Sequence, residues 1–295
     1  MIFAAIDIGS NAMRLLFCRV YNIDGKPHFN KEELIRMPIR LGEDVFTGGK
    51  ISAGKAERLI GALKGFHELI KSYGVDGYKA VATSAMRDAS NGEEIIARIK
   101  KEAGLTVEII DGKNEASLVF SNHIEEVLNP RHAYLYIDVG GGSTELTLYY
   151  DEKVIAARSF NIGTVRMLLD KVDKNEWEEM KLWLKKYTYG IHPLDGIGSG
   201  GNINKIYKMS GKKETKHLSY DKLKGIYEML SSYTIKERIE RLDLKPDRAD
   251  VIVPAAKIFL TVLKHAEIEK IYVPQIGISD GIVHQLYEKA ISKKN

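Results

Sequence analysis

The stretch YIDVGGGSTEL, residues 136–146, runs an apolar strand into an aspartate, three glycines, a serine, a threonine and a glutamate. Successive glycines let a backbone turn tightly and approach a bulky group, and their N–H groups can ring an anion. Phosphate is the anion that suits such a ring best. The stretch has no P-loop lysine, and its glycines miss the spacing of a dinucleotide fingerprint. A second turn of the same kind lies in AAIDIGSNAMRLL, residues 4–16. Setting Asp7 on Asp138 puts Ile6 on Ile137, Gly9 on Gly140 and Leu15 on Leu146. A strand, a glycine and a strand also make an ordinary or a bulged hairpin. Recurring at the start of each half, they predict two domains that present matching anion turns across one cleft.

The elements that must position these turns alternate between strand and helix, an α/β pattern. Residues 2–7 and 13–20 read as strands, and 56–74 has helical apolar spacing ending at Gly74. A short apolar run follows at 77–83. Residues 91–104 then form an amphipathic helix stopped by Gly104, with Asn91 placed to cap it. Residues 106–111 return to strand, and a helix runs from about Asn114 to Leu128. Asn129–Pro130 breaks the chain, which sets a domain boundary near residue 130. Beyond it, 132–138 and 143–151 read as a hairpin. The remainder is more helical, with a strand at 271–273 and a last helix from about 279.

With 295 residues, two domains are the default, and 44% hydrophobic with 28% charged residues is a soluble globular composition. A formal charge of +4 permits a polyanionic ligand without demanding one. The single cysteine, Cys18, excludes an internal disulfide and a multi-thiolate metal site, and its apolar neighbours predict burial. The eight histidines show no zinc-like spacing. The N-terminus has no basic leader, Asp7 cuts its apolar run short, and no later run has membrane-spanning length. A cytoplasmic protein is expected. No basic–aromatic interleaving suggests stacking on nucleic-acid bases.

The segments IDIGSNAMRLL, ATSAMRDASN, IIDGKNEASL, IDVGGGSTEL, FNIGTVRM and DRADVIVPAAKIF together resemble the successive signatures of one family. It is the exopolyphosphatase and guanosine pentaphosphate phosphohydrolase family (Ppx/GppA). The segments keep the family's order through nearly the whole chain. The resemblance implies two ribonuclease-H-like domains of the actin, sugar-kinase and heat-shock ATPase superfamily flanking a cleft. Residues 1–128 would form the first, with a C-terminal helix of about 280–295 packing back on it, and 129–279 the second. A chain ending at residue 295 matches the short form, without the C-terminal helical domain of longer members. The family's pair of glutamates reads Asn114–Glu115 here, and its later glycine-rich turn reads GIGSGGN at 196–202. No His–Asp dipeptide occurs, which argues against a metal-dependent HD phosphohydrolase module.

On this resemblance Glu115 falls on the family's catalytic glutamate, a base or positioning group for water. Read without it, an acidic residue in the first turn of a helix is ordinary dipole chemistry. Phosphate oxygens would be cradled by Gly9, Ser10, Asn11, Gly140, Gly141, Gly142 and Ser143. Arg87, on the family's arginine, would grip phosphate bidentately, and Arg14 has a similar claim. Asp138 with Glu145 would hold Mg²⁺, directly or through water. Asp138 could instead only accept N–H bonds from its turn, and Asp7, its mirror, could share either task. The basic segment 208–224 reads as a solvated face or as a polyanion track through Lys212, Lys213 and Lys216.

These readings imply a Mg²⁺-dependent exopolyphosphatase that removes the terminal phosphate of inorganic polyphosphate. Guanosine pentaphosphate is the alternative substrate within the family. A small-molecule kinase on the same fold, or a non-catalytic sensor of polyphosphate or alarmone, is more remote. The expected partners are the phosphate polyanion itself and neither specific nucleic acid nor membrane. A homodimer is compatible with the sequence.

Overall fold

In the computed structural model the described residues are 1–122, 129, 131–151, 153–211 and 217–292. The chain divides into two compact units, Met1–Asn122 with Ile278–Asn295, and His123–Gly277. In the first unit β1 (Ile2–Ile8), β2 (Ala12–Ile23), β3 (Lys26–Pro38), β4 (Gly77–Ala82) and β5 (Val107–Ile109) form one sheet. Its order is β3-β2-β1-β4-β5. β1 pairs antiparallel with β2 and parallel with β4.

The second unit repeats that plan with β6 (Ala133–Val139), β7 (Thr144–Tyr150), β8 (Lys153–Phe160), β9 (Leu194–Ser199), β10 (His217–Ser219) and β11 (Lys270–Tyr272). The order β10-β11-β9-β6-β7-β8 is the first sheet with one strand added beyond β11. β6 runs antiparallel to β7 and parallel to β9, as β1 runs to β2 and β4. Both units thus share one α/β plan, a mixed sheet with helices, as expected of two ribonuclease-H-like domains.

Sequence dictates which strands lie at the centre. β6 is buried at every position, and β1 at all but its first, so both read as near-continuous apolar runs. β3 and β8, at the open edges, carry charged and exposed residues, which discourage pairing with other chains. The helix Ala53–Tyr73 starts at Ser52, whose side chain accepts from Lys55 N–H, and ends on Gly74 at φ 61°. Asn91 does not cap the helix Gly92–Ala103 as its position predicts. Its amide instead pairs both ways with the Ile51 backbone at 2.9 Å, tying that helix to the loop before Ala53.

The helix expected over 114–128 starts earlier, as Gly112–Phe120, and residues 123–128 lie outside the described residues. The C-terminal helix Ile278–Ser292 packs on it within the first unit. A Cβ at Gly281 would stand 1.7 Å from Leu118 O, so only glycine allows this backbone approach. That contact supports the helix carrying Glu115. Replacing Gly281 with Ala is expected to cost about 1–3 kcal/mol in denaturant unfolding through overpacking. A variant as stable as the parent would show that the two helices are not in close contact.

Candidate functional site

The two glycine turns are built alike. Gly140 N–H donates to Ser143 O at 2.9 Å, and Gly9 N–H donates to Ala12 O at 3.1 Å. Any Cβ on Gly9 would crowd the oxygen that closes its turn, at 3.1 Å, and on Gly140 at 3.2 Å. In the second unit the short helix Thr164–Leu168 seizes the glycine carbonyls. Thr164 N–H donates to Gly140 O at 3.0 Å, Val165 N–H to Gly141 O at 2.8 Å, and Arg166 Nε to Gly142 O at 2.7 Å. In a trans peptide the N–H points opposite to its carbonyl. The N–H groups of Gly141, Gly142 and Ser143 therefore point away from that helix. None of the three donates a hydrogen bond among the described residues. Successive N–H groups arranged in this way are suited to an anion. Gly140, expected to join them, spends its N–H on closing the turn.

The aspartates ahead of the turns are both buried, and they face opposite partners. Asp7 lies across from Arg14 in the β1–β2 ladder, with Arg14 Nη1 at 3.1 Å from Asp7 Oδ2. Asp138 lies across from Glu145 in the β6–β7 ladder. Directly opposed residues point to one face with Cβ atoms about 4.5–5.5 Å apart. Ser199 continues that row on β9 and Ser159 on β8, and Ser159 Oγ donates to Glu145 Oε1 at 2.8 Å. Ser199 Oγ is buried without a hydrogen-bond partner. Gly200 has φ 98°, and a Cβ there would come within 3.2 Å of Asp138 Oδ1.

Two opposed buried carboxylates suit a hard cation. Among the described residues no group of three or more His, Cys, Asp or Glu side chains could hold a metal alone. Asp138 and Glu145 fit Mg²⁺ only with waters or phosphate oxygens completing the shell, which is that ion's usual habit.

In the first unit, Ser10 is braced through both of its oxygens. Its Oγ accepts from Ala85 N–H at 3.2 Å and its carbonyl from Gly42 N–H at 2.9 Å. Asn11 O accepts from Arg40 N–H at 2.9 Å. Asp111 caps the helix Gly112–Phe120 by accepting from Asn114 N–H at 2.7 Å, so Glu115 falls in the first turn. Asn114 is exposed there, whereas Glu115 is buried. Arg87 Nη1 donates to Glu115 Oε1 at 2.9 Å and to Ile110 O at 2.7 Å. The arginine read as a phosphate grip thus also fixes the glutamate, while its Nε lies 3.8 Å from Asp88 Oδ1.

Sequence reading missed Ser84, Ser199 and the clamp by Arg166. All three lie inside quoted motifs, yet nothing local marks them. Lys212, Lys213 and Lys216 lie outside the described residues. Cys18 is buried as expected, and burial pushes its thiol up to about 11.

Burial raises the Asp7 carboxyl above its ordinary 3.8, outweighing the nearby Arg14. The folded chain then keeps a proton that the unfolded chain has lost. This contribution to stability is complete below 3.8 and is lost as pH climbs through the raised value. Asp7→Asn is expected to gain in melting temperature relative to the parent across that rise. A constant difference at every pH would contradict it.

Residues 33–290 match the profile of the Ppx/GppA phosphatase family. Exopolyphosphatase 1 of Mycobacterium bovis is 24% identical over 310 residues, spanning 96% of this chain and 87% of that protein. The crystal structure of an exopolyphosphatase from Cytophaga hutchinsonii superposes with TM-score 0.84 at 26% identity, covering 98% of each chain. A Ppx/GppA family member from Aquifex aeolicus gives TM-score 0.76 at 28% identity, again over 98% of each. With matching turns at the head of each unit and a profile match over most of its length, the chain belongs to the Ppx/GppA phosphatase family.

Proposed function

We propose that the protein is a cytoplasmic exopolyphosphatase, releasing phosphate from the end of inorganic polyphosphate by attack of water. The observation that carries this reading is the buried Glu115 carboxylate, fixed by Arg87 Nη1 at 2.9 Å. Relatives named as exopolyphosphatases add support. Glu115 takes a proton from water as its oxygen bonds to the terminal phosphorus. The bridging P–O bond breaks, and the shortened chain leaves with the electron pair.

A carboxylate held by one arginine arm cannot swing, so its lone pairs stay aimed at one point. In the first unit the Nη2 donors of Arg87, and in the second the N–H groups of Gly141, Gly142 and Ser143, each suit the charge that phosphate oxygens carry. Asp138 and Glu145 are the residues that would hold Mg²⁺. The bound ion would neutralise phosphate charge. Asp7 is kept from that role by Arg14, which already supplies its counter-charge.

Glu115→Gln keeps the shape and removes the basicity. Phosphate release from long-chain polyphosphate should fall by about a hundredfold or more, with binding retained. Near-parental turnover by this variant would remove the mechanism. Guanosine pentaphosphate and ATP run in parallel decide substrate class. Faster release from guanosine pentaphosphate would replace polyphosphate as the substrate, and ATP turnover only with an added acceptor would indicate a kinase. Chelation by EDTA should abolish release, with Mg²⁺ restoring it. Asp138→Asn should raise the Mg²⁺ concentration needed. Activity indifferent to both would contradict the metal assignment.

A further inference from the structure

Ser84 opens the helix Ser84–Asp88, one residue beyond β4. Its backbone is pinned between two bonds to the first turn: Thr83 N–H to Ile8 O at 3.1 Å, and Ala85 N–H to Ser10 Oγ at 3.2 Å. The side chain is only 2% exposed, and its Oγ is buried with no hydrogen-bond partner among the described residues. A buried polar group left unsatisfied costs about 1–3 kcal/mol, and native proteins leave few of them. Such a hydroxyl is explained when a water, an ion or a substrate completes it.

The neighbours say which. Three residues along the same short helix, and so on its same side, Arg87 holds Glu115. Asp7 Oδ1, on the strand beside β4, is also buried without a hydrogen-bond partner. Ser10, the serine that sequence pointed to, has its oxygen committed to Ala85. Ser84 has not.

We propose that Ser84 is a substrate-contacting residue, its hydroxyl donating to a non-bridging oxygen of the terminal phosphate that water attacks. This rests on the hydrolytic reading above and adds no bond-making step at the serine.

The test is Ser84→Ala in the full chain, with thermal unfolding and kinetics measured side by side. A hydroxyl that bonds nothing in the free protein should cost nothing to remove. The ligand-free melting temperature should therefore hold or rise, while kcat on polyphosphate falls about a hundredfold. The upward shift that inorganic phosphate gives the parent should shrink in the variant. A loss of kcat below about threefold, or a ligand-free melting temperature clearly lower than the parent's, would overturn the assignment. If the parent itself releases no phosphate from any of the three substrates, the hydrolytic reading fails instead. The inorganic-phosphate shift then still decides whether Ser84 touches the anion: an undiminished shift rejects it.

Discussion

A carboxylate buried at the end of a central strand needs a positive charge close by, because desolvation disfavours its ionised form. Each unit of this chain buries such an aspartate, in different surroundings. In the first unit the residue across the ladder from Asp7 is Arg14, and the pair neutralises itself. In the second unit the same position is Glu145, so two carboxylates oppose each other across β6 and β7. Like charges placed directly opposite are unfavourable, and a cation shared between them reverses the sign. One copy of the duplicated hairpin thus sets its aspartate against an arginine, the other against a glutamate.

The turns themselves are held in similar ways. Both close by one hydrogen bond from glycine to the residue three on. In the second unit the short helix Thr164–Leu168 takes hold of the turn's carbonyls, and in the first Gly42 N–H holds Ser10 O and Arg40 N–H holds Asn11 O. The serine of the first turn also braces Ala85. What the first unit offers is Glu115, whose helix is fixed from below by the close approach of Gly281 to Leu118. Rigid support of a carboxylate by backbone contact and one guanidinium is what a positioning role for water requires.

Much of this was legible in the residues, because turns are local. Gly9 and Gly140, with an aspartate two residues before each, mark the hairpin ends without help from elsewhere. The edge strands β3 and β8 escaped notice because exposure gives them mixed polar patterns, and β9 because LDGIGS carries two glycines. Arg14 aligns on Glu145 in the sequence itself, yet the contrast gains meaning only from the register that places each against an aspartate. Arg87 and Glu115 are separated by 28 residues, so their ion pair belongs to tertiary structure alone. Ser84 is likewise invisible beforehand, since a missing hydrogen bond leaves no trace in residue type.

The account turns on the opposed carboxylates of the second unit, and unfolding with and without Mg²⁺ examines them directly. In the parent, added Mg²⁺ should raise the melting temperature by binding at Asp138 and Glu145. Glu145→Gln keeps the length of the side chain and an acceptor for Ser159. Without metal it should melt at or above the parent, and Mg²⁺ should then add little. A parent indifferent to Mg²⁺, or a Glu145→Gln variant that responds to the ion as fully as the parent, would contradict the account.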